Sequence, residues 1–144
     1  MRVVLQRSLS SKVEVDNKVT GSIDNGLVIL VGFTEGDNLE KIDYMVNKII
    51  NLRIFDDENG VMNKSLLDVG GSILSISQFT LYANTEKGRR PSYVDALRGE
   101  ESIKLYDLFN EKLREYVNVE CGIFGADMKV SITNNGPVTI VMER

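Results

Sequence analysis

Serine, glutamine and threonine stand close together in Ser77-Gln78-Phe79-Thr80, inside the longer stretch Ser75-Ile76-Ser77-Gln78-Phe79-Thr80-Leu81-Tyr82. Its alternation reads as a strand, which puts Gln78, Thr80 and Tyr82 on one face and Ser77, Phe79 and Leu81 on the other. A face of amide, hydroxyl and phenol is either one wall of a pocket or the wet side of a half-buried strand. A second unusual group is Asn134-Asn135-Gly136-Pro137, set between the strand-like runs Lys129–Ile132 and Val138–Met142. Proline has no N–H to give a ladder, so Pro137 marks a tight turn, a sheet edge or a bulge. Asn and Gly before it tolerate positive φ. A Gly-Pro backbone is stiff enough to read a ligand's shape with its carbonyls; a plain turn is the other reading. A third group, Lys87-Gly88-Arg89-Arg90-Pro91-Ser92, gathers three cations in four residues. It is a local anion site or a solvated loop.

Other chemistry is excluded by what is missing. The chain has no histidine, which removes Ser-His-Asp and Cys-His catalysis together with the commonest transition-metal ligand. Cys121 is the lone cysteine. It cannot form an intramolecular disulfide, and with no basic neighbour to lower its pKa it reads as a packing thiol. Asp56-Asp57-Glu58-Asn59-Gly60 suggests a calcium loop, but Phe55 stands where the first carboxylate belongs and no Glu closes the loop at the right distance. A net charge of −4 argues against broad phosphate gripping, while leaving room for a small basic site. Met1-Arg2-Val3-Val4 lacks the apolar stretch of a signal peptide, and no run approaches the roughly 18 apolar residues of a membrane span. The expectation is a cytoplasmic protein, for which the sequon Asn63-Lys64-Ser65 is empty.

The elements that must position these residues follow from periodicity. At 144 residues and 42% hydrophobic, the chain is read as one domain, 1–144. Arg2–Arg7, Lys12–Asp16 and Val19–Ile23 read as strands, the last two a hairpin turning at Asn17-Lys18. Leu27–Phe33 is almost wholly apolar, as in a strand covered on both faces. Leu39, Ile42, Met45, Val46, Ile49 and Ile50 predict a helix over 38–53, with Asp37 and Glu40 placed for a capping box. Ile103, Tyr106, Phe109, Leu113 and Tyr116 predict a second over 100–117, with Glu100 and Glu101 at its start and Lys112 and Arg114 at its end, as the helix dipole favours. A long strand is expected from Ser72 to Ala83. The order of strands and helices is not a regular βαβ alternation. It predicts an α+β domain whose largely antiparallel, barrel-like curled sheet is covered by two helices.

Ser77-Gln78-Phe79-Thr80-Leu81, Gly88-Arg89-Arg90-Pro91-Ser92, Gly122-Ile123-Phe124-Gly125-Ala126-Asp127-Met128 and Asn135-Gly136-Pro137-Val138-Thr139, in this order, resemble the motifs of the D-aminoacyl-tRNA deacylase family, and the resemblance runs from Met1 to the last residue. Asn135 departs from it, standing where Asp is more usual; turn chemistry is kept and a carboxylate is lost. The resemblance implies a homodimer that cleaves the ester joining a D-amino acid to the terminal adenosine of tRNA, with no metal or organic cofactor. It implies a catalytic site at Ser77, Gln78, Phe79 and Thr80. A Gly136-Pro137 unit, cis in the family, would enter from the partner subunit and make the site composite. Phe124, Gly125, Ala126 and Met128 would lie near the adenosine, and Arg89 and Arg90 would meet phosphates.

Physical chemistry is compatible with such a role. An aminoacyl ester is already activated, and backbone N–H groups aimed at its developing oxyanion are worth about 3 to 4 kcal/mol each. The amides of Phe79 and Thr80 are the expected donors, with Gln78 and Ser77 ordering the pocket; the resemblance suggests that the substrate's ribose 2′-hydroxyl helps to activate water. Thr80 as a covalent nucleophile is the rival route, but neither a His, a neighbouring Lys nor an N-terminal amine is there to activate it. D and L amino acids expose the same apolar area, so only a fixed shape separates them; Gly136-Pro137 would reject an L side chain by clash. Many D-amino acids would then be accepted, and glycine to some degree. Two other readings stay open: a non-catalytic module that binds an RNA end or adenosine, separated by its lack of turnover, and an esterase for simple D-amino esters, separated by indifference to adenosine.

Overall fold

Gly26–Gly32 (β4) is the middle strand of a five-stranded sheet in the computed structural model, which describes residues 1–144. Its side chains alternate between two apolar layers: Leu27, Ile29 and Val31 enter the large core, and Val28 enters a smaller one with Val13, Ile23, Leu74 and Ile76. Burial on both faces is the reason for its unbroken apolar sequence. Arg2–Ser8 (β1) and Asn134–Glu143 (β10) lie on one side of it, and Ser72–Ser77 (β7) and Val119–Cys121 (β8) on the other, in the order β10-β1-β4-β7-β8. A second sheet of order β3-β2-β9 is built from Ser11–Val15 (β2), Lys18–Ile23 (β3) and Lys129–Ser131 (β9). Asp16 and Asn17 make the β2–β3 turn with φ of 50° and 61°, the mirror-image turn whose twist suits a tight hairpin. Phe55–Asp56 (β5) and Met62–Lys64 (β6) form a short ribbon around Asp57, whose carboxylate accepts from the amides of Asn59 and Val61. Those amides hold the Asp57 carboxyl below its ordinary pKa.

Leu39–Asn51 (α1) and Gly99–Arg114 (α2) contribute their apolar faces to the large core. α1 buries the expected Ile42, Met45, Val46, Ile49 and Ile50. Its cap is Asn38, which accepts from the Lys41 amide at 3.1 Å. The expected Asp37–Glu40 capping box is not formed, because the Asp37 carboxylate is buried on the Thr34 amide (2.9 Å) and the Met1 ammonium (2.6 Å). In α2 the stripe is Ser102, Tyr106, Phe109, Asn110 and Leu113, leaving Ile103 39% and Tyr116 55% exposed. The two predicted apolar positions fail because Ser102 occupies the inward place one residue before Ile103, and the helix ends before Tyr116.

Five of the seven strand pairings are antiparallel. β4–β7 and β7–β8 are parallel, and α1 and α2 lie in the connections that parallel pairing requires. The expected α+β fold is therefore present, with its helices serving as crossovers as well as cover. The sheets stay separate ladders, so the curl is open. Neither helix is long and apolar enough to cross a membrane.

The strand expected to reach Ala83 stops at Ser77. β8 accompanies β7 only to Ser75, and β4 ends at Gly32, so the Gln78 amide donating to the Val31 carbonyl at 2.7 Å is the last step of the ladder. Without a neighbour the backbone must satisfy itself. Phe79–Tyr82 winds into a 3₁₀ turn in which Leu81 N donates to Gln78 O at 3.3 Å and Ala83 N to Thr80 O at 3.0 Å. The predicted faces are lost beyond Ser77: Phe79 is 51% exposed and Tyr82 is buried.

Candidate functional site

Where β4 and β7 end, a cavity of about 300 Å³ opens between the two sheets. Ser77, Gln78 and Phe79 form part of its wall, and Phe124, Gly125, Ala126 and Met128 form another part. Two stretches some fifty residues apart in the chain thus converge because the loop after β8 folds back over the end of β7 before entering β9. The end of β4 and Ile76 form its floor, and Ser102, Asp127 and Val130 also line it. Sequence reasoning missed Ser102, whose only signal is a hydroxyl on the inward stripe it shares with Tyr106, Phe109, Asn110 and Leu113. Phe124 also packs on Tyr106, ring centroids 5.7 Å apart, which fixes its loop to α2.

Thr80 is not in the cavity wall, but its hydroxyl oxygen accepts from Gln78 Nε2 at 2.5 Å. The amide donates, so it is no base for the hydroxyl proton. Phe79 packs edge-on against Tyr93, centroids 5.2 Å apart. Through that contact the turn meets the base of the basic loop, which is pinned by paired backbone bonds between Asn84 and Ser92 of 2.8 and 2.9 Å. Arg89 and Arg90 are exposed on this loop, and neither joins an ion pair within the chain.

Side chains near the site are held neutral. Burial, reinforced by the Asp37 and Glu143 carboxylates, pushes the Tyr82 phenol up to about 12 against the opposing pull of Arg2. Burial likewise raises Tyr106, whose hydroxyl donates to the Ser75 carbonyl at 2.8 Å. The Cys121 thiol is raised by burial despite the Arg114 guanidinium 3.2 Å away. None of the three supplies an anionic base or nucleophile at neutral pH.

Gly136 and Pro137 lie elsewhere. Of the three places that would admit Pro137, the chain uses two together, a bulge on the edge strand: β10 advances five residues, from Asn134 to Thr139, while β1 advances two, from Ser8 to Gln6. Both residues are exposed, and the peptide between them is cis. The buried guanidinium of Arg7 braces the bulge, with Nε on the Asn135 carbonyl at 3.0 Å and Nη1 on the Ile54 carbonyl (2.9 Å) and Asp56 (3.0 Å). Asn134 Oδ1 accepts from the Val138 amide at 3.1 Å. In the sheet order this bulge is three strands across and about four residues along from Ser77, on the order of 20 Å at ordinary strand spacings. One chain does not bring its own Gly136-Pro137 to its own cavity.

Residues 4–143 match the family model described as D-Tyr-tRNA(Tyr) deacylase. Among curated proteins, D-aminoacyl-tRNA deacylases from Clostridium botulinum strain Langeland and Clostridium tetani strain Massachusetts are each 58% identical, over 99% of this chain and 97% of theirs. Among solved structures, one described as c-Myc DNA Unwinding Element Binding Protein superposes with a TM-score of 0.94 at 38% identity, covering 100% of this chain and 99% of its own. A probable eukaryotic D-amino acid tRNA deacylase shares the fold, with a TM-score of 0.83 at 20% identity over 98% and 97%.

Proposed function

This chain belongs to the D-aminoacyl-tRNA deacylase family, and on that premise we propose that it hydrolyses the ester of D-aminoacyl-tRNA in the cytoplasm and leaves L-aminoacyl-tRNA intact. The observation that carries the reading is the single cavity joining Ser77-Gln78-Phe79 to the Phe124–Met128 loop. A cavity of about 300 Å³ is at the small end for a ligand site, which suits the last nucleotide of an RNA and its amino acid rather than a longer stretch. In this reading the Phe124–Met128 side holds the adenosine, and Phe124 offers an aromatic surface to the base. The acyl carbonyl faces the 3₁₀ turn. Phe79 and Thr80 begin that turn, where N–H groups have no partner inside it, and these amides receive the oxyanion as water attacks. The substrate's 2′-hydroxyl assists the water. Thr80 positions Gln78 rather than attacking, since its hydroxyl is engaged by a donor.

Chirality is read by Gly136-Pro137 of a second copy, so the working enzyme is a homodimer with composite sites. Two features support that arrangement: the unit is exposed on an edge strand and braced by Arg7, and it lies far from the cavity of its own chain. Rejection by clash leaves the D side chain unconstrained and admits glycyl-tRNA to some degree. Arg89 and Arg90 meet phosphates near the 3′ end.

A second reading is a module that binds an RNA end or adenosine without hydrolysing it; the name of the structural neighbour at 38% identity, which speaks of binding a DNA element, favours nucleic-acid binding in general. Turnover decides. Purified protein is mixed with matched D-tyrosyl- and L-tyrosyl-tRNA and loss of the ester is followed. Release of the D ester alone is expected; equal release would mean an unselective esterase, and no release a binding module.

A further inference from the structure

The turn that carries Phe79 and Thr80 ends in a carbonyl that the turn itself does not use. Leu81 O accepts instead from Arg2 Nη1 at 2.5 Å. The rest of that guanidinium is also committed: Nε and Nη2 grip both oxygens of Glu143, at 3.0 to 3.2 Å, and the guanidinium carbon sits 4.8 Å from the Tyr82 ring centroid. One planar group therefore touches β10, the end of the turn and the aromatic side chain that closes it. Arg2 is also paired across the sheet with Gly32. A Cβ on Gly32 would come within 2.8 Å of the Gln78 carbonyl and 3.3 Å of Leu81 Cβ, so the turn lies directly against that glycine. Gly32 gives the turn its room, and Arg2 holds its far end.

We infer that Arg2 is a positioning residue: it acts through Leu81 and Tyr82 to fix the orientation of the Phe79 and Thr80 amides. This inference rests on the reading of the turn as the catalytic backbone. Stability alone does not account for the arrangement, because the Arg2 and Glu143 side chains are 30% and 57% exposed, and ion pairs in such positions contribute little. A lysine cannot replace the guanidinium. Its ammonium is a rotatable point donor and has neither a fixed fork for a carboxylate and a carbonyl nor a flat face for the ring.

The test is Arg2→Lys, followed by steady-state hydrolysis of D-tyrosyl-tRNA and by amide hydrogen exchange. The expected result is a kcat lowered about tenfold, a fraction of the ~100-fold or more lost with an oxyanion donor. KM should stay within about twofold, as befits an interaction realised in the transition state. Exchange over 79–83 should quicken while exchange over 72–77 is unchanged. In Arg2→Ala, added ethylguanidinium should restore part of kcat. Unchanged kcat and exchange in Arg2→Lys, with the wild type active, would overturn the role of Arg2 and leave the deacylase reading standing. Quickened exchange across the whole chain would also overturn it, by showing a merely structural residue. If the wild type does not cleave the ester, the reading of the site fails and the catalytic part of the inference with it; the exchange over 79–83 still decides whether Arg2 holds the turn.

Discussion

In the function proposed above, Thr80 is a hydroxyl that serves without reacting. Its oxygen receives the Gln78 amide, and none of the neutral phenols and thiol nearby is a base for its proton. Thr80→Ala should therefore keep measurable single-turnover hydrolysis, reduced about tenfold by the loosened Gln78, on the scale of one lost hydrogen bond to a positioned group. Acid quenching should trap no acyl-enzyme; an ester accumulating on the wild-type protein would establish the covalent route. Ser77, Gln78 and Phe79 were legible through the motif that carries the family resemblance, since alternation alone put only Gln78 of the three on the polar face. Arg2 and Ser102 were not. An arginine at the start of a strand and a serine in a helix are ordinary residues until tertiary packing gives them neighbours.

At the scale of elements, the site exists because β7 loses its partners. Periodicity carries Ser72–Ala83 through as a strand, since alternation records side-chain pattern and not where adjoining strands stop. The hairpin, the central buried strand and both helices were legible, each having a pattern set by its own burial. The break at Ser77 was not, because it depends on the length of β8 and the end of β4. Gly32→Ala tests this dependence. The added carbon meets a backbone carbonyl at 2.8 Å and cannot be absorbed by a rotamer change, so unfolding should cost about 1 to 3 kcal/mol less, as for an overpacked core. Hydrolysis should fall as the turn is displaced, while an Ala tolerated in both assays would show that the turn does not lie against β4. The bulge at Asn134–Thr139 was legible only as a set of options, since edge, turn and bulge all accept proline.

For the whole molecule, charge restricts how RNA can be held. A chain of net charge −4 that grips one terminal nucleotide releases few counterions, and binding should weaken only gently with salt. Arg89→Ala and Arg90→Ala should each lower the slope of log K against log salt by about 0.7, the single-strand value. A steep slope untouched by either change would place the RNA on another face. The cavity itself lies at the seam of the two sheets, with Ser77 on one side and Val130 on the other. Whatever fills it acts as mortar between two courses of masonry: an occupant that binds only the assembled walls draws the folding equilibrium toward them by mass action. Occupancy and cohesion are thereby linked, and the filled protein resists unfolding more than the empty one by an amount set by the occupant's concentration relative to its Kd.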